Sequence, residues 1–183
     1  MDKLKRLKEI ILEKSYHQGT FTLTSGRKSD FYIDGKQTTL SAEGAWLCGS
    51  LIFERIRKHE ANIGAVGGMT LGADPLVTAT SIASFLEGAP IPAFIVRKKT
   101  KAHGTSAVLE GQDNLAPGCR VTLLEDVVTT GGTLLDVIDQ VEAQGFRPAQ
   151  IITVVDRQEG GAETLAKRGF TLEALFTREE LLS

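Results

Sequence analysis

Sulfur and imidazole chemistry has little to work with in this chain. Only two cysteines, Cys48 and Cys119, occur in 183 residues, far apart and with no Cys or His at metal-ligand spacing. They read as buried free thiols. His17, His59 and His103 are scattered, so spacing supports neither a zinc site nor a Ser/His/Asp set. No apolar stretch approaches the roughly 20 residues needed to cross a bilayer, and the opening MDKLKRLKEIILEK mixes acids with bases instead of leading into an apolar cleavage region. A cytoplasmic protein with no membrane partner is expected. An excess of one charge is missing as well: 21 Lys and Arg against 23 Asp and Glu give a net charge of −2. That balance offers no general attraction to nucleic acid, so any polyanion must bind locally. There is no internal repeat, low-complexity tract or Pro/Ser-rich linker. With 42% hydrophobic residues the chain can bury a core, and one domain over 1–183 is expected.

What is present is a change of period along the chain. Leu4, Leu7, Ile10 and Ile11 recur at helical spacing, predicting an amphipathic helix from residue 2 to about 16. In 19–36, Phe21 and Leu23 alternate with threonines, and Phe31 and Ile33 follow the Ser25-Gly26 turn signal, which predicts short strands forming a small appendage. A long helix with Trp46, Leu47, Leu51, Ile52 and Ile56 is predicted from Ser41 to about Glu60. Beyond it, short apolar runs at 63–68, 92–97, 120–126 and 150–156 read as strands covered on both faces. Helical segments separate them: ADPLVTATSIASFLE, with Pro75 suited to a first turn, and TLLDVIDQVEAQG, with Gly145 as its stop signal. This alternation predicts an α/β fold with an open, mostly parallel sheet, whose ligands sit beyond the carboxyl ends of the strands.

The most informative segment is VTLLEDVVTTGGT, 121–133. An apolar strand reaches two adjacent carboxylates, Glu125 and Asp126, then a Thr/Gly-rich turn opens a helix. Neighbouring side chains on a regular strand point to opposite faces, so the two acids can serve one ligand only where the chain leaves the sheet. The following hydroxyls and unobstructed amides suit a phosphate. No Lys follows the glycines and no G-x-G-x-x-G occurs here, which excludes the nucleotide P-loop and the dinucleotide fingerprint. Carboxylates for hydroxyls and a loop for a phosphate together fit a phosphorylated sugar.

This segment resembles the phosphoribosyl pyrophosphate signature of the type I phosphoribosyltransferases, with Glu125 where an Asp often stands first. The resemblance implies that fold, a twisted sheet flanked by helices with a small N-terminal hood formed mainly by about residues 1–40 with C-terminal elements. It also implies that Glu125 and Asp126 engage ribose hydroxyls while Val127, Val128, Thr129, Thr130, Gly131, Gly132 and Thr133 hold the 5′-phosphate.

A second segment, RKKTKAHG (97–104), places Arg97, Lys98, Lys99, Lys101 and His103 within seven residues without an acid, in a long stretch with little periodicity. A lid closing over a leaving pyrophosphate is its natural use. It resembles the mobile catalytic loop of orotate phosphoribosyltransferases. That implies roles for Arg97, Lys98, Lys101 and His103 on the pyrophosphate, with Lys101 and His103 catalytic alongside the acid pair and Lys101 reaching a partner subunit's site in a homodimer. Lys99 has no matching role. FTLTSGRKSDFYID (21–34) resembles the family's hood over orotate, where Phe31, Tyr32 and Ile33 would cover or edge the base. Arg157-Gln158-Glu159 is similar to the family's D-R-Q-E, in which Arg157 offers a planar fork to orotate's carboxylate and Thr129 is a further orotate contact. GGMTLGADP (67–75) would bind pyrophosphate through amides at a helix start. Many relatives carry Tyr-Lys where this chain has Thr70-Leu71, and Lys where it has Thr24.

The resemblance thus implies transfer of ribose 5-phosphate from phosphoribosyl pyrophosphate to orotate, a step of pyrimidine biosynthesis, with Mg²⁺ bound mainly through substrate and no direct protein ligand. Beside a plain structural α/β domain, two rivals stay open at this point. One is a phosphoribosyltransferase for another base such as a purine, which has no need of Arg157 facing a carboxylate. The other is a non-enzymatic sensor of phosphoribosyl pyrophosphate that binds nucleic acid or protein, against which the basic lid counts.

Overall fold

The computed structural model describes residues 2–22, 28–98 and 109–183. The Ser25-Gly26 turn, Thr24, Lys99, Lys101 and His103 lie outside them. Helix α1 (Lys3–Lys14) starts where Asp2 accepts hydrogen bonds from the Leu4 and Lys5 amides, and it buries Leu7, Ile10 and Ile11. Strands β1 (Tyr16–Thr22) and β2 (Lys28–Ile33) pair antiparallel, as the appendage was expected to. A short helix that the sequence did not announce, α2 (Gly35–Thr39), follows with Asp34 as its cap. Helix α3 (Ala42–Lys58) is capped by Ser41, which accepts from the Gly44 amide.

The remainder alternates as anticipated: β3 (Ile63–Met69), α4 (Asp74–Leu86), β4 (Ala93–Val96), β5 (Leu109–Glu110), β6 (Arg120–Val128), α5 (Gly132–Ala143), β7 (Arg147–Asp156), α6 (Gly161–Ala166), β8 (Leu172–Thr177) and α7 (Arg178–Leu182). The six-stranded sheet has the order β5-β4-β3-β6-β7-β8, and every pairing is parallel except β4 with β5.

Both faces of this sheet are covered, which is why its strands read as continuous apolar runs. Leu124, Ile152 and Val154 pack with α1, α3 and α4 on one side. Leu123 and Ile151 pack with Leu134, Val137, Ile138 and Val141 of α5 on the other. From β3 the order steps outward to β4 in one direction and to β6, β7 and β8 in the other. The strand order therefore reverses between β3 and β6, where an open α/β sheet forms its crevice.

Two expectations are corrected. Strand β6 does not end at the acids but runs to Val128, with Glu125 in register with Thr153 and Val127 with Val155. Of the two free thiols only Cys48 is buried; Cys119 is half-buried at the start of β6. Burial pushes the Cys48 thiol up to about 12.

Candidate active site

At the crevice, a cavity of about 520 Å³ gathers residues from four parts of the chain. Strand β2 brings Tyr32 and Ile33, and the start of α2 brings Lys36; β6 brings Glu125 and Asp126; the segment 127–133, from the end of β6 to the start of α5, lines the cavity along its whole length; Lys98 and Arg157 arrive from the ends of β4 and β7. The sequence-derived set is thus largely brought together. Arg97 is not among the lining residues: its guanidinium lies 3.0 Å from Glu110 on β5. Lys101 and His103 fall outside the described residues.

The acid pair is gripped by backbone. A Cβ on Gly72 would lie 2.6 Å from Asp126 Oδ1 and 3.0 Å from Glu125 Oε1, and one on Gly35 would lie 2.7 Å from Asp126 Oδ2. Glycine at both positions lets two loops close on the carboxylates, so both acids serve one site although β6 continues beyond them. Asp126 Oδ1 also accepts from the Val127 amide at 2.9 Å. Burial, and then the neighbouring Asp126, push the Glu125 carboxyl well above its ordinary value. Glu125 Oε2 is buried with no hydrogen-bond partner among the described residues.

After β6 the chain turns through Gly131, whose φ of +80° is the left-handed region that glycine adopts without strain. Helix α5 then begins with no side-chain cap, so its first amides point out unsatisfied at an exposed Gly132 and Thr133. An uncapped start of a twelve-residue helix is suited to a phosphate. Across the crevice, the Thr70 amide donates to Val96 and the amides of Ala73 and Asp74 donate within their own turn. The intervening Leu71 and Gly72 amides have no such bond among the described residues, as an anion loop requires.

The end of the cavity beyond β7 is built around Arg157. Its side chain is only 3% exposed, pairs with Glu159 at 2.7 Å, and stacks on Phe31 with its guanidinium carbon 4.4 Å from the ring centroid. Its amide donates to the Val128 carbonyl, tying the arginine to the end of β6. Gln158 holds φ +56°, uncommon for a non-glycine residue, and is braced by its own amide on Asp156 Oδ1 and by the Glu179 amide on its side-chain oxygen. Phe31, read from the sequence as a cover for the base, is instead buried beneath Arg157 and Arg178, while Tyr32 faces the cavity.

Sequence reasoning missed Lys36, Asp34 and the paired glycines 35 and 72. The only signal was Asp-Gly-Lys directly after a strand, a cap-and-turn pattern with no chemistry of its own.

Comparison with known proteins identifies the family. The phosphoribosyl transferase domain family matches residues 43–180. The orotate phosphoribosyltransferase of Nostoc sp. is 44% identical over 177 residues, covering 97% of this chain and 84% of the relative. The crystal structure of Mycobacterium tuberculosis orotate phosphoribosyltransferase in complex with Fe(III) dicitrate superposes with a TM-score of 0.83 at 36% identity, covering 98% of each chain. The same enzyme in complex with 5-phospho-α-D-ribosyl 1-diphosphate gives 0.81 at 32% identity over 99% of each. This chain belongs to the phosphoribosyltransferase family, among its orotate phosphoribosyltransferases.

Proposed function

We propose that this protein transfers the ribose 5-phosphate group from phosphoribosyl pyrophosphate to orotate, giving orotidine 5′-monophosphate and pyrophosphate in pyrimidine biosynthesis. The observation that carries the reading is one cavity holding the acid pair, an uncapped phosphate loop and a buried, oriented arginine. The 5′-phosphate sits on the amides of 129–133 at the start of α5, and the ribose hydroxyls donate to Glu125 and Asp126. Orotate lies between Tyr32, Ile33 and Thr129, with its carboxylate on the Arg157 fork. Orotate N1 gives up its proton to solvent and forms the new bond to C1, while the bond from C1 to the pyrophosphate oxygen breaks and its electron pair leaves with pyrophosphate. Positive charge growing on the sugar is met by the carboxylates, and negative charge on the leaving group by Arg97, Lys98, Lys101, His103 and the Leu71 and Gly72 amides.

Magnesium is the ion this reading implies, and the residues present fit it. Glu125 Oε2 is a buried oxygen without a partner among the described residues, able to accept from a ribose hydroxyl or an ion-bound water. The ion would be held mainly through substrate oxygens, and when bound it neutralises diphosphate charge.

The reading includes one domain over 1–183, with the hood of about residues 1–40 braced by C-terminal elements. Lys8 Nζ donating to the Glu180 carbonyl at 2.6 Å, and Arg178 stacked on Phe31, support that bracing. It also includes a homodimer sharing lid residues. The α3–α4 face supports a partner, since Trp46, Ile82, Phe85 and Leu86 are all at least half exposed there. Light scattering gives the mass, and mixing inactive Lys101→Ala with inactive Asp126→Asn chains tests sharing through recovered activity. No helix among the described residues is long and apolar enough to cross a membrane.

The direct test is loss of orotate's ultraviolet absorbance with phosphoribosyl pyrophosphate and magnesium. Consumption that needs every component supports the reading. Reaction with a purine base in place of orotate overturns the assignment of the base end while leaving the phosphoribosyl site standing.

A further inference from the structure

Among the described residues, three cations line the cavity, and Lys36 is the one without a part in the reaction above. Its ammonium lies 2.7 Å from Asp34 Oδ1. That carboxylate is itself fixed, for Oδ1 accepts from the Lys36 amide at 3.3 Å and Oδ2 from Gln37 Nε2 at 3.2 Å. The turn is set against the acid pair through Gly35, whose backbone leaves no room for a Cβ beside Asp126 Oδ2. Lys36 is therefore held at a fixed place next to the ribose acids. An ammonium has three N–H donors, and Asp34 is its one partner among the described residues, so donors remain for a ligand. The hydrogen bond to Asp34, opposed in part by burial and helped by Asp126, holds Lys36 firmly in its charged form.

A compact point charge in that position suits a phosphate oxygen better than the planar carboxylate that Arg157 is shaped to take. The loop that crosses the acids, Thr70-Leu71-Gly72, carries no cation, and Leu71 is 64% exposed.

We propose that Lys36 is a substrate-binding residue whose ammonium, held by Asp34 beside Asp126, takes an oxygen of the diphosphate of phosphoribosyl pyrophosphate. The inference rests on the phosphoribosyl reading of this cavity and adds to it the cation that the Thr70–Gly72 loop lacks. Asp34 is the positioning residue.

The test compares wild-type protein with Lys36→Ala, Lys36→Arg and Asp34→Asn in two assays. One is orotate consumption with each substrate varied; the other is calorimetric binding of pyrophosphate in the presence of magnesium. Loss of one charge-assisted hydrogen bond predicts that Lys36→Ala raises the KM for phosphoribosyl pyrophosphate and the Kd for pyrophosphate about 10- to 100-fold. The KM for orotate should stay within about threefold, Lys36→Arg should recover most of the loss, and Asp34→Asn should shift the same two constants in the same direction. The proposal is overturned if both diphosphate constants of Lys36→Ala stay within twofold of wild type, or if the orotate KM is the one that moves. Should Lys36→Ala fail to fold, Lys36→Gln is read by the same constants. If wild-type protein does not consume orotate, the base assignment falls, and the pyrophosphate arm still decides Lys36.

Discussion

Replacing Arg157 separates recognition of orotate from stability of the fold. Its guanidinium is buried, and both its contacts to Glu159 Oε1, 2.9 Å from Nε and 2.7 Å from the terminal nitrogen, are charge-assisted. Methionine at this position removes the fork offered to a carboxylate. Two hydrogen bonds to a charged group contribute about 1.5–2 kcal/mol each, so about 3–4 kcal/mol of transition-state binding disappears. That corresponds to a fall of about 10²- to 10³-fold in kcat/KM for orotate. The same change removes the Arg157 side of the pair with Glu159, whose side chain is 12% exposed. Losing a buried charge-assisted contact costs stability, so the single variant is destabilised as well. Arg157→Met combined with Glu159→Gln also neutralises the carboxylate that faced Arg157 and should recover part of the melting temperature without restoring orotate turnover. Steady-state kinetics beside thermal denaturation read both effects. Orotate kinetics of the double variant within threefold of wild type would refute the reasoning, and so would equal losses for orotate and phosphoribosyl pyrophosphate.

Three further outcomes follow from the site and the thiols. Gly72→Ala drives a Cβ against both acids, and overpacking of about 1–3 kcal/mol should lower kcat/KM for phosphoribosyl pyrophosphate by up to about 100-fold with the circular dichroism spectrum unchanged; unaltered kinetics would contradict the grip on Asp126. Glu125 has a folded-state value raised above its ordinary 4.5, so the folded chain keeps a proton that the unfolded chain releases. The stability this gives is fully present below the ordinary value and is lost as pH rises through the folded value. The melting temperature of ligand-free wild type should accordingly decline more steeply toward neutral pH than that of Glu125→Gln, and parallel curves would refute the burial argument. In native protein a thiol reagent should reach half-buried Cys119 first and Cys48 only on unfolding, which mass spectrometry of labelled peptides would show.

Most of the parallel sheet was legible because strands buried on both faces advertise themselves as apolar runs, and because Leu134, Val137, Ile138 and Val141 keep helical period between two of them. The placing of 127–133 at the cavity and at the start of α5 was legible for a different reason: the segment is contiguous in sequence. Pieces that depend on distant partners were not. Helix α2 has five residues, too few for a period, and it exists because Asp34 caps it and Thr38 meets Ser15 in the core. Strand β8, LEALFT, is rich in helix formers and becomes a strand through its register with β7, Ile151 beside Leu172 and Val155 beside Phe176. The place of Phe31 beneath Arg157, and of Gly72 against Asp126, joins residues more than fifty positions apart. No local pattern could carry either.

The five residues of α7 give the base end an unusual dependency. Arg178 stacks on Phe31 of the hood at 4.6 Å, the Glu179 amide braces Gln158 beside Arg157, and the Glu180 carbonyl receives Lys8 of α1. Arg157, proposed above to read the base, is thus held by a knot of contacts drawn from α1, the hood and α7. A designer wishing to give this enzyme a different base would have to recast that knot as a unit, and could leave the phosphoribosyl half of the site untouched while doing so.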